Sequence, residues 1–200
     1  MIITISREFG SGGRELGKRL ADELGLKYYD KEIIQRIADD TNYDSDYIDR
    51  LLSSTMGSLS YRNSFSSLGL SINQRMTIDC LVAQERVLKE IARKGDCIIV
   101  GRAANAILAD YNPFNIFVYA NMDSKIKRCR SYGNDDLSDK ELTRRIKAID
   151  NTRKKYYQAV AFDKWGNMND YNLCINTSNV EIKKLVKVVA MYIKTSYEDK

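Results

Sequence analysis

Apolar residues fall into short continuous runs separated by stretches of helical periodicity. Ile2, Ile3 and Ile5 form a β-branched run. Phe9-Gly10-Ser11-Gly12-Gly13 follows, and then a helical pattern begins with Leu16, Leu20, Ala21 and Leu24 on one face. The order reads as strand, glycine-rich turn, helix. Gly25 stands where a helix can end on a left-handed residue, and Lys27 to Tyr29 reads as a short strand. Asp30 is placed to cap a further helix whose buried stripe is Ile33, Ile34 and Ile37. A long helical pattern runs from about Gln74 to Lys94 and stops at Gly95. Cys97-Ile98-Ile99-Val100 is apolar without alternation and ends in Gly101-Arg102, which is the pattern of a central parallel strand covered on both faces. A helix from Ala103 to Asp110, a strand from Phe114 to Ala120 and a helix from Ser124 to Tyr132 come next. Ser138 opens a long basic helical segment that runs past Tyr157. Leu173 to Ile175 reads as a last strand, and Ile182 to Ile193 as an amphipathic helix. Strands alternate with helices throughout, which predicts an α/β sandwich with a parallel sheet.

Two hundred residues suit one domain, or one domain with an inserted lobe. Ser53 to Ser71 departs from the rest: eight serines and two glycines surround Tyr61, Phe65 and Leu68, and the stretch reads as a loop or loosely held lobe. The chain has no histidine, which excludes a Ser-His-Asp triad, an H-E-x-x-H zinc site and any imidazole base. Chemistry must then rest on Arg, Lys, carboxylates, hydroxyls, backbone N–H groups, Cys or an oxygen-held metal.

The net charge is +5, and it is concentrated. Between Lys125 and Lys155 eleven Lys/Arg face five acids, leaving the remainder nearly neutral. Such a segment suits an anionic ligand or a solvated helix face. The interspersed acids and the lack of a reading motif argue against nucleic acid. Cys80, Cys97, Cys129 and Cys174 show no C-x-x-C spacing and read mainly as core thiols of a reducing compartment. The N-terminus lacks a basic region followed by an apolar one, and no apolar stretch approaches about 18 residues. A soluble cytoplasmic protein without a membrane partner is expected. Its oligomeric state is open.

A glycine-rich turn leading into a helix is a recurring phosphate cradle, because glycines let backbone N–H groups approach and the helix N-terminus carries partial positive charge. Gly10, Ser11, Gly12 and Gly13 are the candidates. Against G-x-x-x-x-G-K-[ST], Arg7 stands at the first glycine, Gly13 at the lysine, and Arg14 or Glu15 near the Mg²⁺-binding hydroxyl. Arg14, or Arg7 at the strand's end, can supply the missing cation as a forked donor.

With Ile5 to Leu20, Tyr28 to Arg36, Val100-Gly101-Arg102 and Asp150 to Arg153 in view, the chain resembles cytidylate kinases. It is most similar to the cytidylate-kinase-like proteins that begin I-S-R-E-F-G-S-G-G-R-E. The resemblance spans nearly the whole chain. It implies a P-loop kinase-like α/β fold, a three-layer sandwich with a parallel sheet of about five strands. A monophosphate-binding-like lobe over 30–76 and a basic helical lid over 136–165 belong to the same single domain, 1–200. The family's D-T-G-x-x-Y-R segment looks like Asp30 to Arg36 and keeps the Asp and Arg; G-R-D looks like Gly101-Arg102-Ala103; the lid motif keeps Asp150 and Arg153.

On this resemblance the chain is expected to be an ATP- and Mg²⁺-dependent nucleotide kinase, the metal held mainly by phosphates and water. Arg14 replaces the lysine, Arg36 and Arg102 hold the acceptor, and Arg153 with Arg144 or Arg145 clamps the transferring group. Asp30 orients the acceptor or interacts with Mg²⁺, or else caps its helix. Such catalysis is positioning and electrostatics. The competing expectation is a non-catalytic nucleotide- or anion-binding protein on the same scaffold, since the lysine and hydroxyl are absent.

Overall fold

The computed structural model describes residues 1–54, 72–133 and 136–198. Of the serine-rich stretch, residues 55–71 lie outside the described residues. The strands are β1 (Ile2–Arg7), β2 (Lys27–Tyr29), β3 (Cys97–Val100), β4 (Phe114–Tyr119) and β5 (Leu173–Asn176). The helices are α1 (Gly13–Leu24), α2 (Glu32–Thr41), α3 (Ser45–Ser54), α4 (Ile72–Arg93), α5 (Ala104–Ile107), α6 (Met122–Ser131), α7 (Asp139–Ala161) and α8 (Ile182–Glu198). All strand pairs are parallel and the sheet order is β2-β3-β1-β4-β5, so β1 is central. This is the three-layer α/β architecture expected.

The continuous apolar run of β3 serves two cores. Cys97 and Ile99 face a cluster with Ile33, Ile37, Leu52, Leu88 and Ile91 from α2, α3 and α4. Ile98 and Val100 face the opposite cluster, with Ile3, Ile5, Leu16, Leu20, Val186 and Ile193 from β1, α1 and α8. Cys80, Cys97 and Cys129 are buried and form no disulfide. Among the described residues no helix is long and apolar enough to cross a membrane.

Two local expectations change. α2 begins at Glu32 with Lys31 at the cap position and no side-chain cap, so Asp30 does not cap it. The helix expected from Ala103 is a single turn followed by a 3-10 turn at Ala109–Tyr111. Gly101, Arg102 and Ala103 have φ of 82°, 57° and 52°, and a left-handed residue at 103 cannot start a right-handed helix.

Because all strands run the same way, their carboxyl ends share one edge, where ligand crevices form in such sheets. α7 crosses this edge. Its inward stripe runs Leu142, Ile146, Asp150, Arg153 and Tyr157, apolar at both ends and charged in the middle. Ser138 begins it with a capping box: Ser138 N–H donates to Glu141 Oε2 at 2.9 Å, and Glu141 N–H to Ser138 Oγ at 3.3 Å. Ser138→Ala is expected to lower unfolding stability by about 1 kcal/mol; urea denaturation with an unchanged midpoint would show that the cap contributes nothing.

Candidate active site

Arg7 ends β1 with its side chain 16% exposed. Nη2 lies 3.9 Å from Asp30 Oδ1, while Arg14 Nε lies 2.5 Å from Asp30 Oδ2. Arg153 Nη1 donates to the Arg7 carbonyl at 3.0 Å and sits 3.6 Å from Asp150 Oδ1. Arg102 leaves β3 in a left-handed conformation and donates to Asp49 Oδ1 at 2.8 Å. Two consecutive non-glycine residues in that region, Arg102 and Ala103, hold backbone strain of the kind found at functional sites. Arg7, Arg14, Asp30, Arg102 and Arg153 line one cavity of about 730 Å³.

Burial, then the neighbouring charge of Arg153, pushes the Arg7 guanidinium down to about 9, Asp30 pulling the other way and Arg14 and Arg102 adding to the repulsion. Burial also lowers Arg153, which Asp150 offsets. The Asp150 carboxyl is raised by burial, although the Phe9 N–H and Lys125 oppose this. These groups hold charge against its preference for water, a condition typical of sites built for a charged ligand.

The glycine-rich turn is clamped from three sides. Asp150 Oδ1 accepts from the Phe9 N–H at 2.6 Å. Lys125, 6% exposed, bridges Glu8 Oε2 at 2.7 Å and Asp150 Oδ2 at 3.2 Å. Arg128 donates to the carbonyls of Gly10, Val180 and Thr177. Ser11 Oγ donates to the Glu8 carbonyl at 2.8 Å, so that hydroxyl is engaged within the turn. Gly10 and Gly12 take φ of 74° and 82°, and Gly12 precedes the first residue of α1, Gly13.

The structure thus brings together Arg14, Asp30, Arg102 and Arg153 from the sequence-based set, beside Gly10 to Gly13. Arg36 lies over the Tyr29 ring, 5.1 Å from its centroid. Arg144 and Arg145 are exposed on α7 away from the cavity. Asp30 is a counter-ion here, its N–H donating to Glu32 Oε2 at 3.1 Å. Among the described residues no group of three or more Asp, Glu or Cys is placed to hold a metal ion.

The profile of the cytidylate kinase-like family matches residues 2–179. The chain belongs to that family. A structure of an uncharacterized protein from Eubacterium ventriosum ATCC 27560 is 25% identical, covering 97% of this chain and 98% of that one, with a TM-score of 0.69. Shikimate kinase from Acinetobacter baumannii, in complex with shikimate, shares 13% identity over 98% and 93% of the two chains at a TM-score of 0.54. Deoxyadenosine kinase from M. mycoides with bound dATP shares 14% over 97% and 99% at 0.53. The last two share the fold. No curated protein matches the chain. Family membership makes it a nucleotide kinase-type enzyme, a phosphotransferase.

Lys125, Glu8 and the bond from Phe9 to Asp150 were not foreseeable as a group, since Phe9 and Asp150 are 141 positions apart. One signal was present: a charged pair, Asp150 and Arg153, inside an otherwise apolar helical stripe. Removing the shared counter-ion should expose the repulsion it moderates. Asp30→Asn is expected to cost about 1–3 kcal/mol, the half-exposed Arg14 keeping it below a fully buried pair, and inorganic pyrophosphate should restore part of the melting temperature. An unchanged melting temperature would show that Asp30 is not the stabilising countercharge.

Proposed function

We propose that the protein transfers the γ-phosphoryl group of ATP to a nucleoside monophosphate, cytidylate or a related small anionic acceptor. The observation supporting this is the gathering of Arg7, Arg14, Arg102 and Arg153 around one cavity beside a glycine-rich turn. The cavity lining carries Lys31 as well, so five cations face Asp30, Asp46 and Asp49. That excess of two positive charges suits a phosphomonoester dianion.

In the transfer, the bond from the γ-phosphorus to the ADP oxygen breaks as a bond to an acceptor phosphate oxygen forms. That oxygen arrives unprotonated, so no base is required, in keeping with a chain that has no histidine. Backbone N–H groups of Gly10 to Gly13 cradle donor phosphate, Arg102 holds the acceptor and Arg153 the transferring group. The carboxylates around the turn already have cationic partners: Glu8 with Lys125, Glu15 with Arg19, Asp30 with Arg14. Mg²⁺ therefore fits as an ion carried with ATP, held by phosphates and water.

The stretch 30–76 supplies the acceptor wall through α2 and α3, and 136–165 acts as lid through α7. In this scheme Arg144 and Arg145 reach the donor, and Arg36 the acceptor, only when these elements shift. The buried thiols suit the cytoplasm. A second reading, nucleotide binding without transfer, is favoured by Asp150 on the Phe9 N–H and Arg128 on the Gly10 carbonyl, which already occupy part of the turn.

ATP offered with a panel of nucleoside monophosphates separates the two. Product is expected in at least one pairing, with Arg102→Ala lowering kcat/KM at least tenfold, a loss of about 1.4 kcal/mol in transition-state stabilisation. Binding without product in every pairing favours the second reading.

A further inference from the structure

A further assignment rests on the phosphotransfer reading and concerns the cation such a reaction needs at the loop. In the G-x-x-x-x-G-K-[ST] arrangement a glycine opens the turn and the lysine reaches the β- and γ-phosphates. Here Arg7 stands at that glycine and Gly13 at that lysine. The exchange has a steric cause. A Cβ on residue 13 would fall 2.5 Å from Arg7 Cβ and 3.1 Å from Arg7 Cγ, so positions 7 and 13 cannot both carry side chains. A Cβ on residue 101 would strike the Arg7 guanidinium, with Cζ at 3.0 Å. The Arg7 side chain is thus threaded between two glycines, and its head opens into the cavity.

Among the described residues the head of Arg7 is also short of partners. Its nearest carboxylate oxygen is Asp30 Oδ1 at 3.9 Å, beyond hydrogen-bond reach. Arg14, by contrast, is 56% exposed and bound to Asp30 at 2.5 Å. A guanidinium carries five donors in a fixed fork. A mostly buried fork facing a cation-rich cavity is matched by an anion with several acceptor oxygens. Burial and Arg153 push this guanidinium down from its ordinary value, and the opposite charge of such an anion would act against that shift.

We propose that Arg7 is the phosphate-loop cation of this protein, a catalytic residue that binds phosphoryl oxygens through its fork in place of a lysine that its own side chain excludes from position 13. Arg14 is then the partner of Asp30 and not the replacement for the lysine. The cation enters from the strand side of the turn, next to the acceptor cavity, whereas a lysine on α1 would enter from the helix side.

The test uses the full chain, with ATP and inorganic pyrophosphate as probes in titration calorimetry and a thermal melt for each variant. Arg7→Met keeps the packing and removes the charge. It is expected to melt at or above the wild-type temperature, because a strained buried charge is gone, and to bind both probes at least tenfold more weakly. Arg7→Gly/Gly13→Lys restores the usual order and is expected to bind ATP at least threefold more tightly than Arg7→Gly/Gly13→Ala. Undiminished binding by Arg7→Met, or no gain from the lysine, overturns the assignment. If Arg7→Met does not fold, the comparison of the two double variants decides, since both share the Arg7→Gly change. Turnover is read separately. Arg7-dependent binding with no product from the wild type removes the transfer reading alone, whereas product from a fully active Arg7→Met removes the Arg7 assignment alone.

Discussion

Burying a guanidinium at the tip of the central strand is the constraint on which the carboxyl edge of the sheet depends. Charge withdrawn from water is costly unless it finds a partner. Asp30, which follows β2, offsets that cost only in part from 3.9 Å, and the Arg7 side chain takes the space left by Gly13 on α1 and Gly101 after β3. Its carbonyl receives Arg153 from α7. One residue, through its side chain and its carbonyl, thereby meets three strand ends, the first helix and the helix that crosses them. The left-handed backbone from Gly101 to Ala103 belongs to the same arrangement, since it turns the chain away from the Arg7 head and presents Arg102 to the cavity.

The basic segment is divided between two roles. Lys125, Arg128 and Arg153 turn inward and satisfy carboxylates or carbonyl oxygens of the glycine-rich turn and the strand ends. Lys127, Lys140, Arg144, Arg145, Lys147, Lys154 and Lys155 are exposed. The first group holds the turn in place, and the second carries the segment's charge toward solvent. Asp150 belongs with the first. Its carboxylate is fixed between Lys125 and the Phe9 N–H, joining α7 to the turn through polar contacts.

Periodicity was sufficient for the sheet. The run Cys97 to Val100 appears as β3 and splits its residues between two cores, which is why it showed no alternation. Lys27 to Tyr29 and the stop at Gly25 were legible for local reasons, since a left-handed C-terminal residue acts on its own turn. The site was legible only in part. Arg14, Asp30, Arg102 and Arg153 lie next to recognisable turns or strand ends, and the structure gathers them. Asp30 was ambiguous because a carboxylate before a helix can cap it or serve a distant cation; Arg14 is that cation, and it is held by α1. The inward role of Lys125 was hidden because a lysine on a charged helix carries no local mark of the acid it will meet. Arg36 and its ring contact with Tyr29 depend on a side-chain choice that spacing does not encode.

The mutual exclusion of side chains at positions 7 and 13 has a consequence for how such a loop can change over time. Starting from this chain, a single substitution that introduces lysine at 13 meets the Arg7 side chain, and one that introduces glycine at 7 leaves neither position with a charge. The two loop types are therefore separated by a gap that no one-residue path crosses with both packing and charge intact. Lineages on either side would stay there, and a search keyed to lysine would pass over this side even though the sheet beneath it is the same.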